Sequence, residues 1–312
     1  MASSELSQTQ NVDLQDDLLE NFLREIGTGV IRSKTGVWRS EGARIYNPVS
    51  VSGPIEISEL EIQELWDKGS FFLRYPAHTD SIVTPSLVHL LDDKNYDLDK
   101  LTSHYRRRDI RRSLKLCVVE QIPVREILKN GLDLIPDTML RQGRQWEPKI
   151  TQEWKRFFES ASQNPLFEAW AAFEGSRLGA YRVDMTYRGG CFAQVNFNRS
   201  DSLRFHVMDA LTYISSREII RRPEIDFISL GVQWRFTDVP SVDRFKESMG
   251  FRRIEIRERI EVCPKLKPFF QSNHVCGLVE QVSRKCFNKS YYARMMCWVL
   301  ESLREQRSEE HR

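Results

Sequence analysis

One polar turn combines residue types and a setting that could bind phosphate. It follows a strand-like segment and precedes a long amphipathic helix from Leu203 to about Ile220. Backbone N–H groups at the start of a helix have no partners within the helix, and the helix dipole attracts anions there. The sequence therefore predicts a turn suited to phosphate, made of Asn198, Arg199, Ser200, Asp201 and Ser202.

The most strongly charged stretch of the chain runs from Tyr105 to Lys115. On a helix, four basic residues of this stretch fall at i, i+3, i+4 and i+7 and so share one face: Arg108, Arg111, Arg112 and Lys115. Four like charges repel one another, so the face is stable where it is solvated or meets an anion. Charge alone leaves both interpretations open, a solvated basic face and a contact with phosphate or RNA.

The cysteines and histidines have no spacing typical of a metal site or of nucleophilic catalysis. Six cysteines are scattered without a CxxC pair, and the six histidines form no HExxH motif. Free cysteine is among the most buried residue types, so we expect reduced, mostly buried thiols. His206 is the only histidine near the polar turn, and a packed or solvated role is the commoner use of such a residue. We predict no metal site.

Composition excludes several classes of protein. The 312 residues carry 46 Lys and Arg against 44 Asp and Glu, and a net charge of +2 argues against coating nucleic acid or membrane with the whole surface. The first seventeen residues are polar and acidic, unlike a secretory signal. No window approaches eighteen uninterrupted apolar residues, so we expect a cytoplasmic protein without a membrane span.

The elements that position the turn alternate between strands and helices. Three strand-like segments joined by short Gly-containing turns lead into it: Trp170–Glu174, Arg177–Tyr187 and Cys191–Phe197. After the helix from Leu203 come a strand, a helix and a strand: Ile225–Leu230, a helix with Val242, Phe245 and Met249 on one face, and Arg252–Val262. The predicted order of the core is thus β, β, β, α, β, α, β.

Further elements flank this core. We expect a disordered start, a short helix over Leu14–Ile26 and a small strand-rich preamble. Ser86–Leu91 reads as a helical turn or short helix. Two C-terminal helices, Lys267–Lys285 and Lys289–Arg307, are expected to pack on the core rather than to bind a membrane.

Three local motifs accompany this order of elements. They are the basic segment Arg107-Arg108-Asp109-Ile110-Arg111-Arg112, the hairpin strand Leu178-Gly179-Ala180-Tyr181, and Phe245-Lys246 followed by Met249-Gly250-Phe251. Each motif is weak by itself, and their order and spacing together carry the argument. Over about Tyr105–Val262 the chain resembles the acyltransferase fold of the GNAT superfamily, and more closely its FemAB-like branch, the peptidoglycan aminoacyltransferases and related bacterial proteins.

The resemblance implies an α/β (α+β) fold, with a GNAT-like central mixed sheet flanked by helices, in a bacterial protein. Many members of the family carry two such lobes, which leaves a reduced second lobe open here. The expected organisation is a tail, helix and preamble at residues 1–57, a reduced N-terminal lobe at 58–104, the acyltransferase domain at 105–262, and a helical extension at 263–312.

The polar turn departs from the family pattern. Ordinary GNAT enzymes have a Gly-rich Q/R-x-x-G-x-G/A turn before the long helix, where backbone N–H groups hold the pyrophosphate of CoA. Here the turn contains no glycine, and the Pro-Gly of many FemAB-like relatives is absent. Ser200 or Ser202 can cap the helix, so a simple cap and a CoA site both stay open.

The catalytic candidates are named by their positions, and the resemblance supports one of them, Lys246. Acyl transfer to an amine needs a route for the amine proton and stabilisation of the carbonyl oxygen. The family pattern implies that Lys246 faces the site and neutralises developing negative charge; an exposed helix lysine is the alternative. Tyr181 and Asp184 lie on the central hairpin strand and point to opposite faces, so at most one of them faces a given cleft.

Three functions compete. The first is an N-acyltransferase that uses an acyl-CoA such as acetyl-CoA as co-substrate and a small-molecule or peptide amine as acceptor. The second is a FemAB-like enzyme that uses aminoacyl-tRNA, with Arg108, Arg111, Arg112 and Lys115 as phosphate contacts. The third is a non-catalytic binding protein that keeps the fold. We expect the first.

Overall fold

The computed structural model describes residues 2–49, 53–78, 84–233 and 240–271, and also residues 277, 281, 299 and 300. As the sequence predicts, the fold is mixed α/β, with a mixed sheet flanked by helices. The strands are β1 Val30–Ser33, β2 Gly36–Ser40, β3 Ile45–Pro48, β4 Phe72–Pro76, β5 Thr84–Leu91, β6 Val118–Ile122, β7 Phe167–Glu174, β8 Arg177–Tyr187, β9 Gly190–Asn198, β10 Phe227–Gln233 and β11 Arg252–Val262. The α-helices are α1 Ala2–Glu25, α2 Glu59–Asp67, α3 His104–Ser113, α4 Arg125–Asn130, α5 Leu134–Arg141, α6 Pro148–Ala161, α7 Val207–Ile220, α8 Pro240–Ser248 and α9 Lys267–Gln271.

The described residues fall into two compact units. The first comprises residues 2–26, 88–233 and 240–254, and its strands follow the order β5-β10-β9-β8-β7-β6. The second contains residues 27–49, 53–78, 84–87 and 255–271, and its strands follow the order β1-β2-β3-β4-β11. The domain boundaries expected after residues 57, 104 and 262 stay predictions.

The predicted meander is present in the first unit as β7, β8 and β9. Tyr181 in the central strand pairs with Ala171 on one side and with Phe197 on the other, and both pairings are antiparallel. The hairpin turns require a positive φ, which Gly175 (62°) and Gly189 (77°) adopt without a steric penalty. α7 packs across this sheet, against β6, β7, β8 and β9.

The long helix predicted from Leu203 is divided in two, which corrects the prediction. Residues Leu203–Phe205 form one turn of 3₁₀-helix, and α7 begins at Val207. Between them His206 takes the left-handed conformation, with φ 56° and ψ 33°, which interrupts the α-helical hydrogen bonding. Helical spacing of the apolar residues continues through this break, so the side-chain pattern does not reveal it.

The prediction of a helical turn over Ser86–Leu91 is wrong, because these residues belong to strand β5. Val88, His89, Leu90 and Leu91 are all buried, at 0%, 0%, 5% and 3% exposure. A short apolar run that is buried on both faces has neither the period of a helix nor that of a half-exposed strand. The pattern alone therefore could not separate the two.

The chain ends differ from the predictions in extent. α1 spans Ala2–Glu25 rather than beginning at Leu14, so the expected disordered start is wrong. α9 covers the first residues of the predicted helix Lys267–Lys285. Its remainder, and the predicted helix Lys289–Arg307, lie outside the described residues apart from isolated positions. No helix within the described ranges has the length and apolar character that crossing a membrane requires.

An ion pair lies inside the sheet of the first unit. Arg182 and Asp184 are both fully buried, and their side chains meet at 2.6 Å. Arg182 also donates to the Ser216 hydroxyl at 3.0 Å, which attaches β8 to α7. Burial raises the pKa of Asp184, and the adjacent guanidinium opposes that rise. The two charges are therefore stable only as a pair.

Removing one partner of this pair should destabilise the fold. We expect Arg182→Met to lower the free energy of unfolding by about 3–5 kcal/mol, because the Asp184 carboxylate is then buried without compensation. Arg182→Met combined with Asp184→Leu should recover most of the loss. Urea unfolding followed by circular dichroism measures both; a double variant no more stable than Arg182→Met would contradict this account.

Candidate functional site

The first feature of the site is the short pairing between two parallel strands of the first unit, β9 and β10. β9 and β10 pair at three positions, Phe227 with Gly190, Ile228 with Cys191 and Ser229 with Phe192. Both strands continue beyond this pairing, β9 to Asn198 and β10 to Gln233. Strands that diverge leave backbone N–H and C=O groups that need other partners. The polar turn lies at the far end of β9.

Helix α5 holds the start of the turn. Asn198 is buried, and its backbone carbonyl accepts hydrogen bonds from Thr138 at 2.9 Å and from Arg141 at 3.1 Å. Arg141 also donates to the Asn198 side-chain oxygen at 2.7 Å. The Asp137 carboxylate accepts the backbone N–H of Ser200 at 2.7 Å and its hydroxyl as well. An acidic side chain therefore occupies a backbone donor that a pyrophosphate would need.

The rest of the turn also has partners within the protein. The Arg199 guanidinium lies 2.6 Å from the Asp133 carboxylate. Arg177 donates to Asp201 at 2.5 Å, and this hydrogen bond lowers the pKa of the exposed Asp201 carboxyl. Ser202 is fully buried. The five predicted residues are thus brought together, but their side chains are used to hold the turn.

Behind the turn, two carboxylates flank His206. Its Nδ1 lies 3.4 Å from Asp209 and its Nε2 lies 3.9 Å from Asp109. The same carboxylates bind arginines: Arg106 pairs with Asp209, and Arg108 lies 2.9 Å from Asp109. Burial raises the pKa of Asp209, and the charge of Arg106 opposes this. The cluster is electrostatically balanced by its own residues.

This cluster is also where a cation could be held. Asp109, His206 and Asp209 each offer one ligand atom, and these atoms lie within 4.8 Å of one another. A cation there would compete with the two guanidinium groups for the same carboxylates. The arrangement therefore fits a structural salt-bridge network better than a metal centre.

The predicted basic face on α3 is partly neutralised. Arg108 binds Asp109, and Arg111 binds Asp99 at 2.8 Å. Arg112 and Lys115 are exposed, and neither takes part in an ion pair with another described residue. Lys115 lies beyond the end of α3 rather than on its last turn. Two of the four predicted cations are therefore available to an anion.

Helix α8 carries Lys246, half-buried, with Asp243 one turn before it. Burial lowers the pKa of Lys246, and Asp243 opposes this shift. The helix ends at the predicted Met249-Gly250-Phe251 motif: Met249 and Phe251 enter the core, and Gly250 has φ 85°. This ending matches a glycine C-cap and fixes the position of Lys246 one turn earlier.

His89 on β5 faces α8 and was not predicted as a site residue. Its side chain is fully buried; Nδ1 lies 4.0 Å from Asp243 and Nε2 lies 3.8 Å from Glu247. Burial lowers the pKa of His89, the charge of Lys246 lowers it further, and the two carboxylates oppose this. A histidine inside the apolar run Ser86–Leu91 was the available signal, and it was hidden by the assignment of that run to a helix.

Tyr181 and Asp184 lie in the interior instead. Tyr181 is fully buried among aromatic rings, with Phe158 and Phe197 at centroid distances of 5.8 and 5.7 Å. Burial raises the pKa of Tyr181 well above its usual value. Asp184 is fully buried with Arg182. Neither side chain has an exposed surface, and a catalytic role for either stays a prediction.

Comparisons with family models and with curated protein sequences find no match. Solved structures do match the fold. FemX is similar with a TM-score of 0.57 and 10% identity, over 80% of this chain and 91% of that chain. The C-terminal domain (DUF2156) of a putative lysylphosphatidylglycerol synthetase from Agrobacterium fabrum is similar with a TM-score of 0.55 and 12% identity, over 82% of this chain and 93% of that chain.

A conserved protein of unknown function from Bacteroides thetaiotaomicron is also similar, with a TM-score of 0.52 and 12% identity over 80% of this chain and 90% of that chain. Identities this low establish a shared fold and no more. The fold predicted from the order of elements and three short motifs is thereby shown to be the one shared with FemX and with the DUF2156 domain.

Proposed function

We propose that the protein is a FemAB-like acyltransferase that moves an aminoacyl group from an ester donor, of the kind found in aminoacyl-tRNA, to an amine. The observation that carries the proposal is the half-buried Lys246 on α8, held in place by the core residues that follow it. A partly desolvated cation is well suited to stabilise negative charge on an oxygen during acyl transfer. An aminoacyl-tRNA donor would place the reaction in the cytoplasm.

The polar turn supports an ester donor over a CoA thioester. Asp137 accepts from the Ser200 N–H and hydroxyl, so the turn in this form repels a pyrophosphate. A tRNA donor does not need that turn. It needs cations for its backbone, which the exposed Arg112 and Lys115 offer. One neighbour in fold is named as a putative lysylphosphatidylglycerol synthetase, a name that includes an aminoacyl group.

In the proposed reaction the protein forms no covalent bond to the substrates. The neutral amine nitrogen attacks the ester carbonyl carbon, and the carbonyl oxygen gains negative charge that the Lys246 ammonium stabilises. As the C=O bond re-forms, the bond from that carbon to the donor oxygen breaks. The proton lost by the nitrogen goes to the departing oxygen, so Lys246 stays protonated throughout.

Acyl-CoA with an amine acceptor is the second candidate, because the divergence of β9 and β10 favours it. Beyond Ser229 and Phe192 the two strands no longer pair, and the open backbone of β9 could hold an extended donor arm. The turn residues would fit the pyrophosphate only with Asp137 displaced. Because Asp137 occupies the turn, the transfer mechanism above does not involve CoA.

Loss of the Lys246 charge should slow transfer. Lys246→Ala should reduce kcat/KM by about 10²–10³-fold, as removal of an oxyanion partner does elsewhere, and Lys246→Arg should keep part of the activity.

The pH dependence of the rate gives a second test. Because burial lowers the pKa of Lys246, the wild-type rate should fall with rising pH before the usual lysine value of about 10.4 is reached. Lys246→Arg should lack this alkaline limb. Lys149→Ala, at an exposed position of α6, is the control. Full turnover in Lys246→Ala would remove the residue from the mechanism.

Arg112 in the last turn of α3 and Lys115 just beyond that helix should contribute to tRNA binding. Arg112→Ala with Lys115→Ala should weaken binding and reduce the slope of log K against log salt by about 2, one for each phosphate that is no longer neutralised. Lys149→Ala with Lys155→Ala removes the same charge from α6 and should leave the slope unchanged. Filter binding over a salt series measures both. Equal slopes in the two double variants would mean that tRNA, if bound, uses another surface.

The role of Asp137 can be tested with acetyl-CoA in a thermal shift assay. We expect little stabilisation of the wild type and clear stabilisation of Asp137→Ala, since ligand at a hundredfold above Kd adds about 2.7 kcal/mol. Glu224→Ala, at an exposed carboxylate elsewhere, should behave as the wild type. Strong stabilisation of the wild type would favour the acyl-CoA enzyme. If neither acetyl-CoA nor tRNA binds, the result would favour a non-catalytic binding protein that keeps the fold.

A further inference from the structure

Strand β6 forms one edge of the sheet in the first unit. It pairs with β7 from Val118 opposite Phe173 to Ile122 opposite Ala169, and it has no second neighbour among the described strands. The backbone groups of β6 that point away from β7 make no hydrogen bond with another described residue. Unpaired N–H and C=O groups along the edge of a sheet are a template for one more strand.

The sequence of β6 does little to block such a strand. Its five residues, VVEQI, contain no lysine and no proline, the residue types that commonly protect an edge. Val118 is 63% exposed, and Glu120 and Gln121 are exposed as well, so no described element covers the strand. Valine and isoleucine favour extended backbone. The edge is therefore already in the conformation that a further strand needs.

A cavity of about 610 Å³ lies at the C-terminal end of this edge. The last two residues of β6 line it, together with the end of α6 and the start of β7. Val124, Ala161 and Phe167 give it a buried apolar wall, and Ser162 and Gln163 are exposed polar residues of its lining. Ligand pockets in proteins have volumes of roughly 300–1,000 Å³ and a similar mixture of apolar wall and few polar groups.

Arg125 gives the cavity an unpaired positive charge. It is exposed, and it makes no ion pair with another described residue. The acidic residue of the lining is Glu168, and its carboxylate already binds Arg222 at 2.8 Å and Gln121 at 3.0 Å. A guanidinium group can form two parallel hydrogen bonds with a carboxylate. The cavity is thus complementary to an apolar group that carries a carboxylate.

We propose that β6 and this cavity bind the C-terminal end of an extended peptide. The peptide adds a strand parallel to β6, its last side chain is apolar and enters the cavity, and its terminal carboxylate meets Arg125. The direction follows from charge, because an antiparallel peptide would bring its N-terminal ammonium group to Arg125 instead. The site uses none of the residues assigned to acyl transfer, so it does not depend on the proposed function.

A second copy of this chain is a poorer occupant of the edge. Two β6 strands that pair antiparallel about the centre of the strand place the two Glu120 carboxylates opposite each other, and like charges in that position are destabilising. That pairing also leaves the apolar cavity and Arg125 without a ligand. A peptide terminus accounts for the edge, the cavity and the charge together.

The carboxylate can be tested with peptides selected by the intact chain. A phage library of random hexapeptides displayed with free C-termini should enrich sequences that end in an apolar residue. The best of these, synthesised with a fluorescent label, should bind about 10-fold or more tightly as the free acid than as the C-terminal amide, measured by fluorescence anisotropy. Arg125→Gln should reduce this ratio to below about twofold. Arg156→Gln, at an exposed arginine of α6, is the matched control and should keep it.

Strand pairing has a separate signature. A peptide paired on one side donates through every second N–H, so N-methylation of single peptide bonds should weaken binding at alternate positions and leave the positions between them unaffected. A loss confined to the last residue would mean that the cavity holds the terminus alone, which contradicts the added strand. This test changes only the peptide and therefore does not depend on a variant that folds.

Three results would overturn the proposal. The first is a selection that enriches no C-terminal sequence, and the second is equal binding of acid and amide by the wild type. The third comes from sedimentation velocity, in which a dimer that Val118→Lys dissociates would show that a second copy occupies the edge. Peptide binding should persist in Lys246→Ala, so loss of the transfer activity and loss of the peptide site can be told apart.

Discussion

The guanidinium group of Arg106 joins the three helices on which the candidate site depends. From α3 it pairs with Asp209 near the start of α7, donates to the Ser248 hydroxyl at the end of α8 at 3.1 Å, and stacks over Phe245 at 5.1 Å. Asp209 is buried, so its charge is stable only beside a fixed cation. The planar guanidinium group of arginine, with five donors, can make the ion pair, the hydrogen bond and the ring contact at once, and a lysine could not. Arg106 of α3 thus contacts both Phe245, the neighbour of Lys246, and Ser248 at the end of α8, and helps to fix the position of Lys246.

Around this link, most charges of the site are paired with one another. Arg199 has Asp133, Arg177 has Asp201, Arg111 has Asp99 and Arg108 has Asp109. Exposed pairs of this kind contribute little stability, but they reduce the number of cations that a ligand could use. Within the candidate site, the charged side chains that a ligand can still reach include Arg112 and Lys115 at the end of α3 and the half-buried Lys246 on α8.

The sequence was informative where local pattern and burial agree. β11 spans Arg252–Val262 as predicted, because isoleucines alternate with charges over its length, and β8 begins and ends as predicted between two glycine turns. Prediction failed where tertiary context decides. The left-handed His206 leaves no trace in side-chain periodicity, and the bond from Ser200 to Asp137 joins residues 63 positions apart. His89 was not predicted as a site residue, because a run of residues that is buried on both faces shows neither helical nor alternating periodicity.

The glycine-free turn and the carboxylate beneath it are best understood together. A glycine-rich turn leaves its backbone N–H groups unsatisfied until an anionic ligand arrives, and part of the binding free energy is then used to order it. Here the backbone and side-chain groups of Asn198 and Ser200 bind Thr138, Arg141 and Asp137, so the turn is satisfied by the protein itself. Asp137 takes the place of an external anion, which removes the advantage of a phosphate at this point. In the proposed transfer reaction, recognition of a charged donor would then rely on the cations at the end of α3, and stabilisation of charge would rely on Lys246 of α8.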